Sequence, residues 1–457
     1  MVGDRRLIDR RSSGSPRRRV GLAGVLVVAA TIAGCTATPP QSVATPLQKG
    51  TTGPTAIATE TTGPVATATE IAGPTDIPAE TDTPAPSPSP LPTAAGRTLR
   101  WDSVALPAKL VATSDSPFQN ALFSWSRGYL AFHENVDSGA AVPWTSADGR
   151  QWRQGRSLDM TELGQGAQVE EVVEGPAGML ALGRTPGCAD DGTGCMPEPA
   201  TALWTSADGA SWSRVDLLKA FGGAAVGDVS AGPKGYMAVS RSSDSSSAEP
   251  AVWLSADGQI WHAVSLAPET FQDAYLARGT VLADGFLVAG RIGSVEGWGG
   301  GDFPSTTPAI WWSADGSDWS RVTLADAAAT PEAEAAITTI AAGKLVADVA
   351  SWDCSCSPEG DDQAWTSNDG RTWTAAAAQF PSPAVVLSDG HQALQVVASE
   401  GALTVAISPD GFEWAQVAVS GSGPADLSDE AYGPAGVLVE DSSGNLWLAT
   451  ISQAGAS

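Results

Sequence analysis

Bases are scarce in this chain. Lysine and arginine total 25 in 457 residues, against 51 aspartates and glutamates, giving a formal net charge of −26. Seven of those bases are arginines inside residues 1–20. A surface this acidic repels phosphate backbones and anionic headgroups, so nucleic acid is excluded as an expected partner. Histidine is rarer still. His133, His262 and His391 stand at no triad or metal-ligand spacing, which removes the usual signs of nucleophile–base catalysis and of zinc. Tyrosine occurs four times. No pair of carboxylates has a spacing that argues for general acid–base work, and no cofactor motif or metal site is expected. Long apolar runs are also missing. Val20–Gly34 is the longest candidate, too short to span a bilayer stably.

What the chain has instead is a repeated turn. Ser-x-Asp-Gly-x-x-Trp occurs six times, as SADGRQW, SADGASW, SADGQIW, SADGSDW, SNDGRTW and SPDGFEW, with its aspartates at Asp148, Asp208, Asp257, Asp315, Asp369 and Asp410. Alternating apolar residues enter and leave each copy, as in ALWTSADGASWSRV at 202–215. Asp-Gly supplies the positive-φ residue that a tight hairpin needs. The carboxylate can accept the amide N–H groups that follow it, and the serine two residues earlier is placed to join. Trp204 and Trp212, four residues either side of Asp208, can bury large ring area near the hairpin end. The copies resemble the Asp-box of the sialidase-like, BNR-repeat β-propellers, whose usual form is Ser-x-Asp-x-Gly-x-x-Trp. Every copy here lacks the residue between Asp and Gly. The resemblance implies that the box sits on the turn between the third and fourth strands of a blade, away from the ligand face.

Ahead of each box lies a further pair of short strands around a Gly-rich turn, as in Val169–Val173, GPAG and Met179–Gly183. Boxes recur at spacings of 60, 49, 58, 54 and 41, and four-strand repeats of this length mark a β-propeller. At the C-terminus, Asp429–Tyr432, Val437–Glu440 and Leu446–Ile451 give three strands and stop. At the other end, Leu99–Val104 matches a fourth. The expected fold is all-β, a seven-bladed β-propeller of four-stranded blades. Its N-terminal strand joins the C-terminal blade and removes the open seam. Six or eight blades are the alternative.

Three regions follow: a lipoprotein signal peptide over 1–35, a Pro/Thr/Ala-rich disordered linker over 36–97, and the propeller over 98–457. Arg17-Arg18-Arg19, the apolar run and Ile32-Ala33-Gly34-Cys35 together look like a bacterial lipobox, so Cys35 is the expected lipidation site. A lipid anchor would then be the only contact with the membrane, on its outer side. The linker repeats TTGPTAIATE, TTGPVATATE and IAGPTDIPAE, and it cannot bury enough area to offset chain entropy. Cys188 and Cys195 are expected to bridge within one loop. Cys354 and Cys356, one residue apart, would bridge only with strain; pairing between the two loops is the alternative.

Long connections between second and third strands fall at Thr185–Pro199, Ser242–Glu249, Ile292–Pro308 and Ser351–Asp362. Loops on a rigid scaffold are where binding concentrates. Arg184, Arg241 and Arg291 each follow a turn glycine by six residues and end a second strand. Together they are candidates to clamp a carboxylate or sulfate. The competing reading is that they pair with nearby acids or cap strand ends. Trp298 and Phe303, among glycines, are candidates to stack on a sugar or anchor a partner. Asp190, Asp191, Asp361 and Asp362 follow no calcium-loop spacing.

Glycosidases of the resembled class need a tyrosine nucleophile with a glutamate partner, an acid/base residue and three arginines. The early Arg-Ile-Pro element is missing here, and none of the tyrosines stands in a catalytic context. The expectation is therefore a non-catalytic, monomeric, envelope-anchored propeller that binds a protein or glycan. The alternatives are a sialidase-like glycoside hydrolase with a diverged site, or a structural envelope protein.

Overall fold

The computed structural model describes residues 93–107, 121–135, 140–163, 167–185, 200–240, 250–293, 305–325, 327, 330–331, 334–339, 344–350, 363–376, 385–388, 393–399, 402–409, 414–420, 422–424 and 426–453. Expectations for Cys35, most of the linker, Cys188, Cys195, Cys354, Cys356, Arg241, Trp298, Phe303, Asp410 and the four loop aspartates fall outside them. Among the described residues no helix is long and apolar enough to cross a membrane.

The chain is nearly all β. It forms successive antiparallel sheets, each running up and down through four neighbouring strands before moving on. This is the construction of a β-propeller. The second sheet is typical: Gln168–Gly175, Gly178–Arg184, Thr201–Ser206 and Ser213–Arg214. Its second strand is buried from Met179 to Leu182, as expected for a strand covered on both faces. Its last strand has two exposed residues, a short edge that offers little to another chain.

Consecutive sheets are glued by aromatic and branched side chains. Leu130 and Phe132 of the first sheet share a core with Val169, Met179 and Trp204 of the second. Leu180, Leu182 and Leu203 of the second pack with Val229, Tyr236 and Trp253 of the third. Met237 and Val239 meet Val288 and Trp311 of the fourth. Leu438, Leu446 and Leu448, near the C-terminus, pack on Leu122, Tyr129 and Trp144 of the first sheet. The last strands thus lie against the sheet that starts at Leu122.

The N-terminal strand Thr93–Val104 runs antiparallel to Leu446–Gln453, with Trp101 opposite Ala449 and Ser103 opposite Trp447. Its other edge is not free. It pairs in parallel with Ala415–Ser420, Thr98 opposite Ala418, so two four-stranded units merge into one sheet of eight. The sequence reading kept these units separate. A strand carries ladder groups on both edges, and Thr98, Leu99 and Arg100 use both at once, pairing with Ala418–Ser420 on one side and Thr450–Ser452 on the other.

A short helix, α1 (Leu217–Phe221), also departs from the all-β expectation. The Asp216 side chain accepts the Lys219 N–H, and Gly222 closes the helix at φ 66°, the usual stop and start chemistry. Its Phe221 plugs between Trp253 and Trp261, with ring centroids 5.1 Å away in each case.

Candidate functional site

In the first five sheets one end is occupied by the boxes. In the second sheet, Asp208 Oδ1 accepts the N–H groups of Ala210 (2.9 Å) and Ser211 (2.8 Å). The Ser206 hydroxyl lies 3.2 Å from the same oxygen and accepts the Gly209 N–H at 2.8 Å. The Trp212 indole N–H returns to the Gly209 carbonyl at 2.9 Å. Gly209 takes φ 71°, which glycine adopts without steric cost. The two amide bonds to the carboxylate recur at Asp148, Asp257, Asp315 and Asp369.

The turn is longer than the tight hairpin that Asp-Gly suggests. The strands stop at Ser206 and resume at Ser213, because a carboxylate serving amides two and three residues ahead must be curled around by the chain. The two tryptophans of a unit do not face each other; Trp204 lies opposite Arg214. Both pack instead on the preceding sheet. Trp204 joins the Phe132 core and Trp212 lies 5.6 Å from the Phe132 ring.

The turn between first and second strands shares this end. Gly178, at φ 125°, lies so close to the Ser206 carbonyl that any Cβ would collide with it. Tyr236 of the third sheet donates its hydroxyl to the Gly178 carbonyl at 2.8 Å, and Tyr129 does the same to Gly436 at 2.7 Å. Both are buried packing residues. Arg127 bonds the Ala207 carbonyl, and Arg371 pairs with Asp284 at 3.4 Å. Neighbouring sheets are stitched here by polar contacts already in use.

The opposite end holds a different set of groups. In the second, third and fourth sheets the first strand carries an irregularity, between Val169 and Glu171, Val226 and Asp228, and Leu276 and Arg278. A bulge re-aims the side chain that follows it. Glu171 Oε2 accepts the Val229 N–H of the third sheet at 3.4 Å, and Asp228 Oδ2 accepts the Gly279 N–H of the fourth at 2.8 Å. Asp429 repeats the device between the last sheet and the first, accepting the Leu122 N–H at 2.7 Å. Glu171 and Asp228 are both buried. Arg278 lies 3.6 Å from Asp228, and Arg184 pairs with Glu170 at 3.0 Å.

Burial pushes the Glu171 carboxyl up to about 8, with repulsion from Asp228 adding to it and Arg278 and Arg184 opposing. Asp228 is raised by burial against the pull of Arg278, the Gly279 amide and Arg184. Glu430, sealed beside Asp429, is raised well above the ordinary glutamate value for the same two reasons, burial first. Among the described residues no three His, Cys, Asp or Glu side chains gather as metal ligands.

Of the predicted site residues, Arg184 falls in this cluster, 13% exposed at its side chain and paired with an acid. Arg291 is buried at the end of Phe286–Ile292, its guanidinium 4.1 Å above the Tyr275 ring. The cluster itself was not anticipated. Its one sequence signal is positional: Glu171, Asp228, Arg278 and Asp429 each stand seven residues before a turn glycine, at 178, 235, 285 and 436.

No protein-family profile matches the chain, and no curated protein sequence matches it. Solved structures do show distant likeness. A protein of unknown function from Dyadobacter fermentans is 15% identical, with a TM-score of 0.40 over 79% of this chain and 100% of the other. The β-propeller domain of the Trilobed protease from Pyrococcus furiosus is 8% identical, TM-score 0.40, over 70% and 90%. A polysaccharide lyase of the PL25 ulvan lyase family is 13% identical, TM-score 0.43, over 74% and 92%. Similarity this remote says nothing of substrate or activity.

Proposed function

We propose that the chain is a seven-bladed β-propeller, closed by Thr93–Val104 in its C-terminal blade. It is held at the outer face of a bacterial cell membrane by an acylated Cys35 and a stalk that begins at residue 36 and ends at Thr93, where the first strand starts, short of the boundary at 97 expected from the sequence. As a monomer without a cofactor, it binds a protein or glycan through the loop end and does no chemistry there. The observation that carries this reading is the distribution of chain length. Second and third strands are joined by long segments in four consecutive sheets, from Arg184 to Thr201, Ser240 to Val252, Ile292 to Ser305 and Ala350 to Gln363. The next such connection, Ser399 to Ala402, is short. All four open at the end away from the boxes, where loops on a stiff frame can vary freely. At the box end the polar groups described above are engaged within their turns or between neighbouring sheets.

The test is binding of the full chain to an array of acidic and neutral glycans, with turnover of fluorogenic glycosides followed in parallel. Arg241→Ala and Trp298→Ala should each weaken retention at least tenfold. Gln259→Ala at the box end should leave it unchanged. Turnover that Arg241→Ala abolishes would establish the glycosidase alternative instead. Binding lost on Gln259→Ala would place the ligand at the wrong end for this reading.

A further inference from the structure

Where the first strands of the second, third and fourth sheets meet the end of Gly178–Arg184, the charged groups of the described residues balance only if one carboxyl keeps its proton. Three acids meet there, Glu170, Glu171 and Asp228, with two guanidinium groups, Arg184 and Arg278. Arg184 is taken by Glu170 and Arg278 by Asp228. Glu171 is left in a buried position with a backbone amide as its bonded partner. A carboxylate sealed this way beside a second one stays neutral rather than stand uncompensated. We propose that Glu171, Asp228 and Arg278 form a clasp across three consecutive sheets, held shut by one proton on Glu171 and loosened when that proton leaves to water.

The geometry says where it loosens. Asp228 grips the Gly279 amide at 2.8 Å, whereas Glu171 holds the Val229 amide at 3.4 Å. Loss of the proton puts a second negative charge against Asp228, and among the described residues Arg278 and Arg184, both already paired, are the cations that act on it. The longer contact, between the second and third sheets, yields first and admits water. Its burial-driven rise to about 8 puts the opening within mildly alkaline reach. The connections from Arg184 to Thr201 and from Ser240 to Val252 leave from this junction, but the clasp does not depend on what those loops bind.

Amide hydrogen exchange on the full chain, at about pH 6 and about pH 9 and corrected for intrinsic base catalysis, tests the proposal because local opening sets the exchange rate. Protection at Val229 should fall about tenfold or more at the higher pH, with a smaller loss at Gly279 and none in the ladder of Gln363–Ser367. In Glu171→Gln, which cannot ionise, Val229 protection should be the same at both values. Unchanged Val229 protection in the native protein would overturn the proposal even if the variant failed to fold. An equal fall in native protein and variant would overturn it as well.

Discussion

At Asp208 a carboxylate lies at the surface with two amides and a hydroxyl from its own turn around one oxygen. At Glu171, two strands away in the same sheet, a carboxylate is sealed between sheets and draws on an amide 58 residues distant. The first is held below the ordinary aspartate value, its amide and hydroxyl bonds outweighing a burial cost that acts the other way. The second is pushed up. Both accept hydrogen bonds, so bonding alone does not decide the direction. What differs is water: the box aspartate keeps it, and the first-strand acid has lost it and gained a like-charged neighbour. An acid close to a turn locks that turn, and an acid at a bulge ties one sheet to the next.

The sharpest way to break this contrast is to remove a cation from the buried side. Arg278→Ala leaves Asp228 without its counter-charge and should cost about 3–5 kcal/mol in denaturant unfolding, because an uncompensated buried charge is expensive. The loss should shrink as the pH is lowered and Asp228 takes up a proton. A uniform loss at all pH values would mean that Arg278 acts through packing alone.

The two ends also predict opposite pH slopes. A raised folded-state pKa in an acid means that the folded protein holds a proton the unfolded chain has released. Glu171 therefore makes stability fall as pH rises from about 4.5 to about 8, and Glu430 acts in the same direction. The box aspartates do the reverse. Their stabilisation is present above the unfolded value, near 3.9, and is lost as pH falls through their depressed folded values. The unfolding midpoint should peak in mildly acidic solution, and Glu171→Gln should flatten the descent on its alkaline side. A midpoint that rises steadily to pH 8 would contradict the buried side of the comparison.

Smaller effects are expected at the box end. Asp208→Ala frees two amides that water can reach, so the cost should be about 1 kcal/mol, nearly constant above about pH 5 because the aspartate is fully ionised there. Arg150→Ala removes an exposed pair with Asp102 at 2.7 Å and should leave the unfolding midpoint within experimental error, since such pairs are solvated and screened. A larger loss from Arg150→Ala than from Asp208→Ala would mean that contacts between sheets, not the lock within each turn, hold this end.

The box end was legible in the sequence because its bonds span two or three residues. Ser206, Asp208 and Gly209 announce their roles in one line of text, although the turn proved longer than Asp-Gly implies. The pairing of Trp101 and Ser103 with the strand carrying Trp447 and Ala449 was also readable, from the missing fourth strand at one terminus and the spare one at the other. The acid cluster was not. Glu171, Asp228 and Asp429 act on amides 58, 51 and 307 residues away, and nothing in their immediate sequence sets them apart from solvated acids. A residue inserted just before Glu171 and just before Asp228 brings those two inward, and bulges leave little trace in an apolar–polar pattern. Arg184 was singled out as a ligand clamp with pairing to a nearby acid as the competing reading; its partner Glu170 is the inserted residue itself, so the pattern could not say which acid it meets.

Carboxyl carbon NMR of the full chain, followed across the pH range with Asp208 and Glu171 assigned, addresses the central contrast most directly. Asp208 should titrate below the ordinary aspartate value and Glu171 near 8. Titration of Glu171 in the ordinary glutamate range, on the same side as the box aspartate, would contradict it.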